Sequence, residues 1–138
     1  TTTTRASKLF SNKILISDTV GFIRRLPTYM IKAFKSTLDD LVYSDLIILV
    51  VDLMDSKHEI QKKYIECKTI MESLGIENEK IIIACNKIDK ITKSDIKSKI
   101  DFLNNNTANM FLISAKTGFG VKGMVSHITT YIDAIINN

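Results

Sequence analysis

The chain has no Gly-x-x-x-x-Gly-Lys-Ser/Thr segment anywhere in its 138 residues. No loop within them is therefore of the kind that wraps backbone N–H groups around a nucleotide's phosphates. Proline occurs once and glycine five times, which leaves little linker-like sequence. The two cysteines, Cys67 and Cys85, are too few for a disulfide framework. Cys85 closes an apolar run and reads as a small buried residue in a reducing, cytoplasmic setting. The longest strictly apolar run is Leu46 to Val51, far short of a membrane span. No basic-plus-apolar leader opens the chain, so no signal peptide is expected. The content, 45% hydrophobic and 25% charged, is that of an ordinary globular protein and fits one domain. No internal repeat and no second domain are evident. A net charge of +4 permits contact with nucleic acid without requiring it, because the lysines are spread along presumed helix faces. Arg24-Arg25 is the one short basic step.

Apolar runs alternate with amphipathic stretches. Lys8–Phe10 and Lys13–Ser17 read as short strands around a Ser11-Asn12 turn, followed by a loop to Pro27. Proline suits the start of the next helix, in which Phe34, Leu38, Leu41 and Val42 recur at helical spacing up to about Tyr43. Asp45–Asp52 is almost purely aliphatic, as for a strand buried on both faces of a parallel sheet. Ser56 and Glu59 have capping-box spacing ahead of a stripe of Ile60, Tyr64, Cys67, Met71 and Leu74, with Gly75 placed to end the helix. Lys80–Cys85 reads as the next strand. A helix opened by Thr92 and Asp95 follows, carrying Ile96, Ile100 and Leu103. The polar Asn104–Asn106 breaks the pattern before a strand at Asn109–Ile113, a turn at Gly118–Gly120 and a closing helix from Val121 to about Ile136. The alternation predicts an α/β fold of three layers, a mostly parallel sheet with helices on both faces.

Three short motifs sit where these strands end. Asn86-Lys87-Ile88-Asp89 follows the second buried strand. Guanine presents N1–H and its exocyclic amino group side by side; one carboxylate accepts from both, and adenine offers no such pair. Asp89 is the specificity candidate, since a site built for those donors rejects a base that lacks them. The Asn86 amide can bridge the base edge and a neighbouring loop, and the Lys87 stem can lie over the ring with its ammonium among polar groups. Ser114-Ala115-Lys116 follows the next strand, where the Ala115 N–H can meet the guanine carbonyl and Lys116 the other ring face. Asp18-Thr19-Val20-Gly21 follows an earlier strand. The Asp18 carboxylate suits Mg²⁺ through a water, and Gly21 can bring its N–H against a γ-phosphate because no side chain obstructs it. Each motif alone is a common strand-to-loop junction; the ordered set describes a pocket for GTP or GDP. Asp52 and Asp55 lie between a strand and a helix, a place for capping rather than catalysis. His58 and His127 have no partners at metal-ligand spacing.

The ordered set resembles the translation-factor-like GTPases, and the HflX family in particular. Asp18 to Pro27 (Asp-Thr-Val-Gly-Phe-Ile-Arg-Arg-Leu-Pro) looks like that family's switch II segment. Ala33 to Asp40 looks like the helix after it, and Thr1 to Arg5 like the end of switch I. The resemblance implies a P-loop GTPase-like domain truncated at its N-terminus, with residues 1–138 a partial G domain starting within switch I. It implies that Thr3 or Thr4 completes a Mg²⁺ shell with Asp18, and that the ribosome's large subunit is a partner. By the same resemblance the phosphate loop and the first strand precede these residues, in a missing N-terminal part of the same protein, and that strand lies between those at Lys13 and Leu46. Phe22 stands where Ras-like enzymes place a water-orienting Gln, so intrinsic turnover is expected to be slow. The competing expectation is a non-catalytic module that contacts ribosome or RNA through Arg24 and Arg25.

Overall fold

The computed structural model describes residues 2–6, 14–19, 35–103 and 109–137. Two sheets are present among them. Strands β1 (Thr2–Ala6) and β2 (Leu15–Thr19) form an antiparallel pair in which Thr3 stands opposite Asp18 and Thr4 opposite Ser17. Strands β3 (Ile47–Asp52), β4 (Ile81–Asn86) and β5 (Met110–Leu112) form a parallel sheet in sequential order. Parallel neighbours need crossovers, and helices supply them. Helix α2 (Lys57–Ser73) joins β3 to β4, and α3 (Lys93–Ile100) joins β4 to β5. Helix α1 (Lys35–Tyr43) precedes β3, and α4 (Val121–Ile136) closes the described chain.

Every residue of β4 from Ile81 to Cys85 is buried, because this strand is central and covered on both faces. On one face Ile83 and Cys85 meet Ile60 and Tyr64 of α2 and Ile96 and Ile100 of α3, together with Val51 of β3. On the other, Phe111, register partner of Ala84, lies against His127 of α4 with ring centroids 5.1 Å apart. A second cluster gathers Leu38 and Leu41 of α1, Ile47, Cys67, Met71 and Ile81 at the opposite end of the sheet from the motif loops. The expected α/β architecture with helices on both faces is thus present.

The caps expected from the sequence form. Ser56 Oγ accepts the Glu59 N–H at 3.2 Å, and Thr92 Oγ1 accepts the Asp95 N–H at 3.3 Å. Gly75 follows α2 at φ +74°, and the Gly118–Gly120 turn precedes α4 as expected. The hairpin differs. The strand expected at Lys13–Ser17 runs Leu15–Thr19, and its partner is the threonine-rich Thr2–Ala6, for which the periodicity gave no strand. A run of threonines has strand propensity but no apolar alternation, so periodicity passed over it. The expected strand at Lys8–Phe10 and its turn, the loop to Pro27 with Gly21, Phe22, Arg24 and Arg25, and the Asn104–Asn106 break lie outside the described residues.

Among the described residues the sheet is open on one side. Strand β3 pairs only with β4 among the described residues, and Ile48 and Val50 on it are exposed. Between this edge and β2 lies a cleft of about 470 Å³, lined by Ser17, Asp18, the whole of β3, and Asp55, Lys63 and Tyr64. The Tyr64 hydroxyl is buried and finds no hydrogen-bond partner among the described residues.

Candidate functional site

The carboxyl ends of parallel strands are where an open α/β sheet binds ligands, and the motif loops leave there. The β3–β4 register sets Asp52 beside Asn86, and the β4–β5 register sets Cys85 beside Leu112. The Ile113 N–H donates to the Cys85 carbonyl at 2.8 Å, and the Ile88 N–H to the Ile113 carbonyl at 3.3 Å. The Ala115 N–H donates to Asn86 Oδ1 at 2.9 Å, and the Lys87 N–H donates to that same oxygen at 2.8 Å. The Asn86 amide therefore ties the two loops together. Of the bridge expected of Asn86, from a base edge to a neighbouring loop, the structure shows the loop-to-loop contact. The Ala115 N–H, expected to meet a base carbonyl, bonds Asn86 within the protein.

Each loop is locally fixed. Lys87 has a left-handed backbone at φ +77°, unusual for a residue with a side chain, and it hands the chain to the short 3₁₀ turn Ile88–Lys90 that carries Asp89. Asp89 is exposed in this turn. Ser114 is fully buried, and its hydroxyl accepts the Thr117 N–H at 3.1 Å. The Ser114 N–H donates to the Phe119 carbonyl at 2.9 Å and the Gly118 N–H to the Ser114 carbonyl at 2.8 Å, which closes a compact turn with Ala115 and Lys116 exposed at its tip. Gly120 backs this turn against the Leu112 carbonyl, so closely that a Cβ there would sit 2.2 Å from the oxygen.

Asp52 and Asp55 do not cap α2; Ser56 does. Asp52 Oδ2 instead accepts from the Lys87 ammonium at 2.8 Å, and Oδ1 accepts the Met54 N–H at 2.9 Å. Burial acts to raise the Asp52 carboxyl, but the bonds from Lys87 and Met54 and the charges of Lys87 and Lys63 outweigh it and hold the carboxyl below its usual 3.8. The bond to Asp52 and its charge raise Lys87 in turn. Sequence reasoning missed this pair. The residues are 35 apart, and only the register of adjacent parallel strands brings them together.

Asp55 pairs with Lys63 at 2.6 Å. Asp18, at the far side of the cleft, is exposed, with Thr3 as its register partner. No group of three or more His, Cys, Asp or Glu side chains gathers as a metal site among the described residues. Cys67 and Cys85 are buried free thiols, pushed up to about 11 and about 12 respectively, chiefly by burial, which makes them inert. No helix among the described residues is long and apolar enough to cross a membrane.

Residues 31–134 match the family described as the elongation factor Tu GTP binding domain. The "GTPase HflX" of Methanocaldococcus jannaschii is 43% identical over 116 residues, which is 84% of this chain and 29% of that protein. The "GTPase HflX" of Lacrimispora saccharolytica is 37% identical over 95% of this chain and 29% of its own length. Among solved structures, a GTP-binding protein from Sulfolobus solfataricus in complex with GDP superimposes with a TM-score of 0.76 at 26% identity, covering 96% of this chain and 45% of that one. The chain thus spans less than a third of the length of these two curated relatives.

Proposed function

Since this chain belongs to the elongation factor Tu GTP-binding-domain family, as an HflX-type G domain, we propose that it supplies the guanine-recognition half of a GTPase. The observation that carries the reading is the cross-link from Asn86 Oδ1 to the Ala115 N–H at 2.9 Å, which sets the Asp89 turn and the Ser114–Lys116 turn side by side at the ends of β4 and β5. Two exposed loops held together there suit a planar ring with one polar edge. Asp89 accepts from the paired donors of guanine, the stems of Lys87 and Lys116 cover its faces, and buried Ser114 holds its turn in shape. The experiment is a titration of the full-length protein with GDP and ADP. Wild type prefers GDP, and Asp89→Ala loses most of that preference. Equal affinity for GDP and ADP in wild type would remove the reading.

The phosphate end is assigned to residues around the cleft together with sequence outside these 138 residues. Asp18 is an exposed carboxylate on its rim, and an oxygen-only donor set suits a hard cation. Asp18, with Thr3 or Thr4 of the strand paired to it, would hold Mg²⁺. When bound, the ion neutralises phosphate charge. Gly21 would give its N–H to the γ-phosphate. A phosphate-binding loop and its strand, absent from residues 1–138, would enter between β2 and β3. Among the described residues, the free edge of β3, the exposed Ile48 and Val50 and the unpartnered Tyr64 hydroxyl all support a berth there. γ-Phosphate contacts would order the switch segments, and hydrolysis would release them.

Family kinship further supports the large ribosomal subunit as the partner, in the cytoplasm. Co-sedimentation of the full-length protein with large subunits in the GTP form but not the GDP form is the expected result, and equal binding in both forms would count against a nucleotide-controlled partner.

A further inference from the structure

We propose that Asp52 is a positioning residue for the nucleotide site, holding the Lys87 side chain in place as a platform for the base. The assignment rests on the guanine-site reading above. Asp52 closes β3 beside Asn86, so its carboxylate leaves the sheet at the first residue of the base-binding loop. One oxygen is fixed by the Met54 N–H at 2.9 Å and the other receives the Lys87 ammonium at 2.8 Å. The segment that presents it is itself held. The Asp55 N–H bonds the Asp52 carbonyl at 3.1 Å, the Leu53 N–H bonds the Asn86 carbonyl at 3.2 Å, and the Lys99 ammonium bonds the Leu53 carbonyl at 2.8 Å, while the Leu53 side chain is fully buried. Lys87 by contrast is exposed, and a free lysine samples many rotamers. Its left-handed backbone orients the stem at the root and Asp52 anchors the head, so the four methylenes between are held at both ends. A ligand ring then meets a stem already ordered.

Ion pairs this exposed add little to folding, so the pair's effect falls on binding. The test measures GDP and ADP affinity and thermal midpoint of the full-length protein as wild type, Asp52→Asn, Lys87→Met, the double variant, and Asp89→Ala. Asp52→Asn is expected to weaken GDP by about three- to tenfold, the cost of ordering one long side chain on binding. It should keep the preference for GDP over ADP, because a platform touches the ring's face and not its edge. Its thermal midpoint should stay at the wild-type value. In the Lys87→Met background, adding Asp52→Asn should weaken GDP no further. Wild-type affinity in Asp52→Asn, or additive losses in the double variant, would overturn the assignment while Asp89→Ala still reports an intact guanine site. Absence of GDP preference in wild type, unchanged by Asp89→Ala, would remove the guanine-site reading and this assignment with it.

Discussion

Asn86 is the residue on which the site's geometry turns. Its side-chain oxygen receives both the Lys87 and the Ala115 N–H, and no other side chain among the described residues links those loops so directly. Its presence at the end of a strand was legible in the sequence, and so was its capacity to bridge. Which groups it bridges was not, because an amide's partners depend on a loop 29 residues away. Truncating it leaves two backbone donors without their acceptor. Asn86→Ala is expected to lower stability by about 1–2 kcal/mol, read by thermal unfolding, and to weaken GDP by more than stability alone accounts for. Unchanged GDP affinity with lowered stability would make Asn86 purely structural. The Asp52–Lys87 pair shows the same limit. Each residue was singled out in the sequence, one as a helix-capping candidate and the other as a ring cover, and their partnership existed only once β3 and β4 lay in register.

At the scale of elements, helix starts and stops were the most legible features, because they are set by neighbours three or four residues apart. Ser56 and Thr92 cap as their spacing foretold, and the stripe Ile60, Tyr64, Cys67 and Met71 is the buried face of α2. Glycines at positive φ divide by what surrounds them. Gly75, at φ +74°, has nothing within 4 Å of a built Cβ, so Gly75→Ala meets only the left-handed backbone cost of about 1 kcal/mol. Gly120 has the same φ, but a Cβ added there would clash with the Leu112 carbonyl oxygen, so Gly120→Ala must also displace β5 or the turn after it. A loss of more than about 3 kcal/mol is expected for Gly120→Ala, with weakened GDP binding because Ala115 and Lys116 ride on that turn. Thermal unfolding of the two variants side by side checks the contrast, and similar midpoints would show that the close approach is relieved without cost. The β1–β2 hairpin was the poorly read element. Its threonines carry no apolar pattern, and pairing across a hairpin depends on the partner strand rather than on local spacing.

For the whole molecule, the feature that matters most is the edge of β3, which is open among the described residues. The β4 and β5 loops carry the proposed base-recognition residues, and the cleft beside β3 is lined by β3 together with Ser17, Asp18, Asp55, Lys63 and Tyr64. Residues 1–138 alone are expected to bind GDP about a thousandfold more weakly than the full-length protein, the loss of roughly three charge-assisted hydrogen bonds to phosphate. Calorimetric titration of both checks this, and equal affinity would show that these residues hold the phosphates without help. The sequence by itself determined the order of strands and helices, the caps, and the candidate base-recognition residues, since each depends on residue type and short spacing. Tertiary structure decided which of those residues touch. The Asn86 bridge, the Asp52 anchor and the close packing at Gly120 all join segments that only the parallel register brings within hydrogen-bond or van der Waals reach, and no local signal in the chain encodes that distance.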